Sequence, residues 1–217
     1  MTDNNIQFHF KTKFDETILL GKKAKTIPEL LAHVGTVPDS SIYYHTHKFL
    51  QQHHYLSPEP PNDFAYWVST VLGEDVLGEA LSSIDIVQFH RIADLRKSIV
   101  EIMERYLSSS PRTVESPSGE DFYFMSSKTF VLPTPYVAYS LTDFKNVLRL
   151  VSIQSLYYHI FDARLRLEQG ENDFSTFFRK LGYEQLADEI LRLDPYTQTL
   201  EGLKQKINRL VEKYDRH

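Results

Sequence analysis

The chain repeats itself. Sliding the sequence along itself by 114 positions lays residues 8–45 on residues 122–159 without a gap. "FHF" at 8–10 then meets "FYF" at 122–124, Ala24 meets Ala138, Thr26-Ile27 meets Ser140-Leu141, Val37 meets Val151, and "SIYYH" at 41–45 meets "SLYYH" at 155–159. Farther along the offset shortens. "NDF" at 62–64 pairs with "NDF" at 172–174, Leu72-Gly73 with Leu181-Gly182, Asp85 with Asp194, and Leu95, Ile99, Glu104 and Tyr106 with Leu203, Ile207, Glu212 and Tyr214. Matches that keep their order over most of a chain are the mark of a duplicated unit. The sequence therefore predicts a tandem duplication: a first repeat over 1–107, a linker over 108–121 ("SSSPRTVESPSGED") and a second repeat over 122–217. A unit this small buries little alone, so the expectation is one joint core with the halves about an approximate twofold axis.

Each half reads as the same series of elements. The alternation Ile6, Phe8, Phe10, Thr12 gives one apolar face of a strand, and "TILL" at 17–20 is long enough to return as its hairpin partner. "FYFMSS" and "TFVLP" repeat that pattern in the second half. Thr26-Ile27-Pro28-Glu29 then opens a helix, with threonine as cap, proline in the tolerated first turn and Glu29 reaching back; Ser140 and Asp143 hold the same places later. Further helices begin at Asn62-Asp63 and Asn172-Asp173, or carry Leu77, Leu81 and Ile84, or Leu95, Ile99, Ile102 and Tyr106 on one face. The predicted class is α+β, mainly helical: a β-hairpin plus helical bundle unit, duplicated, with pseudo-twofold symmetry.

Composition removes several functions. At 41% hydrophobic and 24% charged, the 217 residues suit a folded protein rather than a disordered one. Without a cysteine there are no disulfides, no thiolate nucleophile and no sulfur-ligated zinc. A net charge of −5 gives no attraction for nucleic acid. The basic C-terminal stretch "LKQKINRLVEKYDR" reads as a solvated helix face. With no apolar run of membrane-spanning length and no signal-peptide pattern at the start, the expectation is a cytoplasmic protein without a membrane partner. No phosphate loop, dinucleotide glycine pattern, nucleophile elbow or HExxH appears, and no cofactor is expected.

The densest chemistry lies in "SIYYHTHKFLQQHHYLSPEPPNDFAYWV", residues 41–68. On a helix His45 and His47 point about 200° apart, so they do not close on one metal ion. His45 and His159 fall on the apolar stripe in both halves and read as core histidines hydrogen-bonded through both ring nitrogens. "NDF" reads as an N-cap, an acid at the positive helix end and a core phenylalanine. The first half alone keeps His47, the run His53-His54-Tyr55, "SPEPP" with Glu59, and Trp67; Phe161 and Phe177 stand where His47 and Trp67 do. A loop that varies on a constant scaffold is where a site can sit, and tryptophan and tyrosine serve as binding anchors. His47, His53, His54, Tyr55, Glu59 and Trp67 are therefore the candidate contacts for a ligand or partner. The plain alternative is a stiff turn with Trp67 filling the core.

Through "GKKAKTIPELL", the 41–68 stretch, "LGEDVLGEALSSID" and "IADLRKSIVEI", residues 8–107 resemble an uncharacterised bacterial or archaeal family classed only as a domain of unknown function. The resemblance implies a soluble protein and supplies no activity. Three readings follow, of which nucleic-acid binding ranks last on charge. The first is a non-enzymatic interaction or regulatory protein with a protein or small-molecule partner. The second is a small-molecule or hydrolytic site in the first half, built from His47, His53, His54, Glu59 and Asp63.

Overall fold

The protein is described by a computed structural model covering residues 6–52, 61–110, 113–194, 196–197 and 199–215. Its first element is a strand, β1 (Phe8–Ala24), and its counterpart is β2 (Phe122–Ala138). Each is a single run of 17 residues, and among the described residues the two pair only with one another. The start of β1 lies beside the end of β2, since the Thr134 hydroxyl donates to the Phe10 carbonyl at 2.6 Å, while Lys23 near the end of β1 pairs with Asp121 at 2.8 Å. The ribbon is antiparallel.

This corrects the expected hairpin within each half. The segment between the two apolar stretches of β1 is Lys13-Phe14-Asp15-Glu16, which offers neither glycine nor an Asn-Gly pair for a two-residue turn, so the chain runs straight on. β2 carries Pro133 and Pro135 in the ribbon. A two-stranded sheet tolerates them because each strand has an open side that needs no amide donor.

Helices follow each strand. After β1 come α1 (Ile27–Val34) and α2 (Asp39–Tyr43), the latter passing through a π-helical turn (Tyr44–Lys48) into α3 (Phe49–Gln52). Then come α4 (Asp63–Tyr66) with its own π turn (Trp67–Val71), α5 (Asp75–Ser82) and α6 (Ile92–Ser109). After β2 come α7 (Leu141–Leu150), α8 (Ile153–Tyr157), a π turn (Tyr158–Asp162), α9 (Ala163–Leu167), α10 (Asp173–Lys180), α11 (Glu184–Leu191) and α12 (Leu200–Asp215). The protein is mainly helical with one small sheet, an α+β fold. The caps are those read from sequence. Thr26 accepts from the Glu29 amide while Glu29 accepts from the Lys25 amide, and Ser140 and Asp143 repeat the arrangement. On α6 the buried set is Leu95, Ile99 and Met103 rather than Ile102. Tyr106 is half-buried and donates its hydroxyl proton to Glu74.

Among the described residues the chain divides into two compact units, one of 6–14 with 129–215, the other of 15–52 with 61–128. The first unit thus takes its opening strand segment from the start of β1, and the second takes 122–128 from the start of β2. In the first, Phe8 and Phe10 lie against Phe144, Phe174 and His159, with Phe10 and Phe144 wholly buried. α7 packs on α12, and α10 on α11. In the second, Phe122 meets His45, Phe64 and Trp67, and Phe124 meets His33 and His45, while α1 packs on α6 and α4 on α5. Each "FxF" therefore fills the helical layer that follows the other strand.

The exchange has a measurable consequence. Phe10→Ala and Phe124→Ala should each cost about 3–5 kcal/mol, as for any large buried aromatic. Native-state hydrogen exchange should then show faster amides in α7–α12 for Phe10→Ala and in α1–α6 for Phe124→Ala. The opposite pattern would show that each strand start serves its own sequence half.

Candidate functional site

Two residues four apart on a helix grip one strand residue in each unit. Ser155 Oγ donates to the carbonyl of Lys11 at 2.7 Å, and His159 Nε2 accepts from the Lys11 amide at 2.8 Å. In the other unit Ser41 Oγ donates to the Met125 carbonyl at 2.6 Å, and His45 Nε2 accepts from the Met125 amide at 3.0 Å. A backbone N–H can donate only to a nitrogen that carries a lone pair, so Nε2 is unprotonated in both rings and the proton sits on Nδ1. Nδ1 of His159 donates to Asp173 Oδ2 at 2.7 Å, and Nδ1 of His45 to Asp63 Oδ2 at 2.6 Å. Both histidines are 2% exposed, so both ring nitrogens are satisfied inside the protein, as the sequence suggests.

The aspartates stand at helix starts held by the preceding asparagines. Asn62 Oδ1 accepts from the Ala65 amide at 2.9 Å, and Asn172 Oδ1 from the Ser175 amide at 2.8 Å, where Ser175 completes a capping box. Phe64 and Phe174 are fully buried behind them. "NDF" thus does what its residues allow, and one thing more: its acid orients the histidine. Sequence reasoning did not find that role, nor the serine's. The available signal was that "SxxxH" and "NDF" recur together.

Burial holds the His159 imidazole below its ordinary pKa, outweighing the Asp173 carboxylate, which acts in the opposite direction. Its folded value lies below the unfolded one, near 6.5, so the stability it contributes is full above that pH and is lost as pH falls through the folded value. Replacing His159 with Ala should cost about 1–3 kcal/mol at pH 7.5. Urea midpoints taken from pH 7.5 to 5 should fall less steeply for His159→Ala than for the parent. Equal slopes would remove His159 from the acid response.

The other sequence-nominated contacts are placed differently. His47 is buried, stacked on Tyr43 at 5.5 Å with 8° between planes, and its Nδ1 lies 3.2 Å from Thr46 Oγ1. Trp67 is buried, donates Nε1–H to the Glu120 carbonyl at 2.8 Å and packs edge-on against Phe122. His53, His54, Tyr55 and Glu59 lie outside the described residues. Among the described residues no three His, Asp or Glu side chains are gathered as a metal ion would require, and no helix is long and apolar enough to cross a membrane.

A cavity of about 390 Å³ opens beside the His159 grip, wholly within the first compact unit. Phe8, Tyr158, His159 and Phe177 give it an aromatic lining, while Lys11, Arg166 and Lys180 bring positive charge. Its carboxylate, Asp173, receives Arg166 at 2.6 Å as well as the imidazole. The guanidinium also sits 5.0 Å above the Tyr158 ring, so ion pair and cation–π contact together orient it. Burial raises the Tyr158 phenol above its ordinary pKa, so it stays protonated.

The chain belongs to a family of unknown function, DUF5752. The family model matches residues 5–212. Among solved structures the chain is similar to OrfY from Thermoproteus tenax, with a TM-score of 0.81 and 26% identity over 97% of this chain and 96% of that one. No curated protein matches the chain.

Proposed function

We propose that this DUF5752 protein acts by binding rather than by catalysis, as an interaction or regulatory module that arose by tandem duplication of one unit, 1–107 and 122–217 joined by 108–121. The observation that carries this reading is how the two His–Asp pairs are used. On paper each resembles an acid–base dyad. In each, however, the nitrogen that would take a substrate proton already accepts a backbone amide that holds a strand in place. A general base must reach the proton it removes, and these lone pairs are engaged elsewhere. The duplication is supported by the recurrence of one grip, one N-cap and one π-helical turn at matched positions: Ser41, His45 and Asn62 against Ser155, His159 and Asn172.

Of the two kinds of partner, a small molecule is favoured by the cavity beside Phe8 and Phe177. His47 and Trp67 themselves contribute no exposed ring to a flat protein interface, because both side chains are internal. The test is direct. The parent protein and His159→Gln are assayed against p-nitrophenyl acetate and p-nitrophenyl phosphate, with folding followed by circular dichroism. Neither should exceed buffer. Turnover by the parent that disappears in a folded His159→Gln variant would overturn the non-catalytic reading.

A further inference from the structure

The cavity in the first compact unit has a built-in comparison, because the other unit carries the same scaffold. At matched positions the aromatic and gripping residues are kept: Phe8 answers to Phe122, Tyr158 to Tyr44, His159 to His45, Asp173 to Asp63 and Phe177 to Trp67. The cations are not. Lys11 answers to Met125, Arg166 to Gln52 and Lys180 to Thr70, all uncharged. The second compact unit folds around its own grip without those charges, so the fold does not require them. Nor do the two lysines serve it locally, since neither ammonium has a hydrogen bond or ion pair among the described residues. The backbone of Lys11 is pinned at both N–H and C=O, which fixes where its side chain leaves the strand.

Three permanent cations around one carboxylate, itself already bonded twice, make this cleft positive on a protein whose net charge is −5. Gathering like charges is unfavourable unless something of opposite sign comes to them. Arg166 is the recognition element suited to an oxyanion. Asp173 and the Tyr158 ring hold its plane, and its Nε–H and Nη1–H have no partner among the described residues. A guanidinium fork so fixed matches a phosphate or carboxylate in two-point contact, with lysines adding point charge. Beside it, Phe8 and Phe177 supply an apolar surface for the remainder of the ligand.

We propose that the cleft formed by Phe8, Lys11, Tyr158, Arg166, Phe177 and Lys180 binds a small organic oxyanion, a phosphate monoester or carboxylate carried on a compact apolar or ring-shaped body. The proposal deepens the binding reading by naming its ligand class. The oxyanion sits between Arg166 and the two lysines, the body lies against the phenylalanines, and the aspartate stays committed to the imidazole. One site per chain follows, because the matched positions of the other unit lack the cations.

Titration of the full chain with phenyl phosphate, benzoate and neutral phenol, read by calorimetry and by amide chemical shifts, tests it. Both anions should bind saturably, phenol about tenfold or more weakly, with shifts at residues 7–11, 158–167 and 173–180. The tighter of the two anions identifies the head group. The double variant Lys11→Met/Lys180→Thr places there the side chains the other unit already carries, so it should melt with the parent while losing about tenfold or more in anion affinity. Arg166→Gln, checked for folding in the same way, should weaken binding at least as much. No saturation by either anion below about 10 mM, or unchanged affinity in the folded variants, overturns the site. Release of phenol from phenyl phosphate would overturn the non-catalytic reading and leave the site standing.

Discussion

Both units depend on one unusual use of a helix, as a substitute for the neighbouring strand. A serine and a histidine one turn apart present a donor and an acceptor, respectively, to the two polar groups of a single strand residue, Lys11 in one unit and Met125 in the other. Each bond is worth only about 1 kcal/mol net, but leaving a buried amide or carbonyl unpaired costs about 1–3 kcal/mol. The strand therefore has one favourable register against the helix. That register places Phe8 and Phe10, or Phe122 and Phe124, in the aromatic cluster. It also requires Nε2 to be the acceptor, which forces the proton to Nδ1 and calls for an acid there. The acid comes from the start of α10 or α4, whose position an asparagine cap fixes. Serine, histidine, asparagine and aspartate are thus links of one chain of dependence, and any one of them is explained only by the others.

That chain explains what could be read in advance. A helix cap is a local event, so Thr26, Ser140, Asn62 and Asn172 announce themselves in a few residues. Burial of His45 and His159 follows from their place on apolar stripes. Pairing is not local. Alternation at Phe8 and Phe10 marks a strand but does not name its neighbour, and two apolar stretches in succession look like a hairpin until the missing turn residues are weighed. Beyond Ile99 the buried stripe of α6 continues four residues on, at Met103, rather than three residues on, at Ile102, a choice that the helical period alone does not fix. His47 stands out in the sequence because Phe161 occupies the matched position, yet in the structure it is an internal ring stacked on Tyr43. The cleft was illegible for a related reason. Its cations come from segments more than 150 positions apart, and only the exchange of strand segments brings Lys11 to Arg166.

Differences between matched positions of the two units separate into two kinds. Some are compensated. Lys13, whose side chain is fully buried, pairs with Asp162 at 2.6 Å and lies 5.2 Å from the Tyr157 ring. The matched residues are Ser127 and Lys48, so in the other unit the ammonium comes from the helix instead of the strand. There it donates to the Thr17 hydroxyl at 2.8 Å and sits 4.9 Å above the Tyr44 ring. The ammonium comes from opposite sides in the two units, yet each supplies it with oxygen and an aromatic face. Burial demands this, because an ammonium stripped of water is tolerated only when paired.

The rim of the cleft is different. Met125 for Lys11 and Thr70 for Lys180 are changes with no answering carboxylate in the described structure, at positions where solvent would accept either residue. Folding exacts compensation inside a protein and is indifferent at its surface. Two lysines without a partnering carboxylate, converging with Arg166 on one concave, aromatic-lined surface, are therefore not a product of what the fold requires. They belong to what the surface meets, and the buried grip next to them is what keeps that surface in shape.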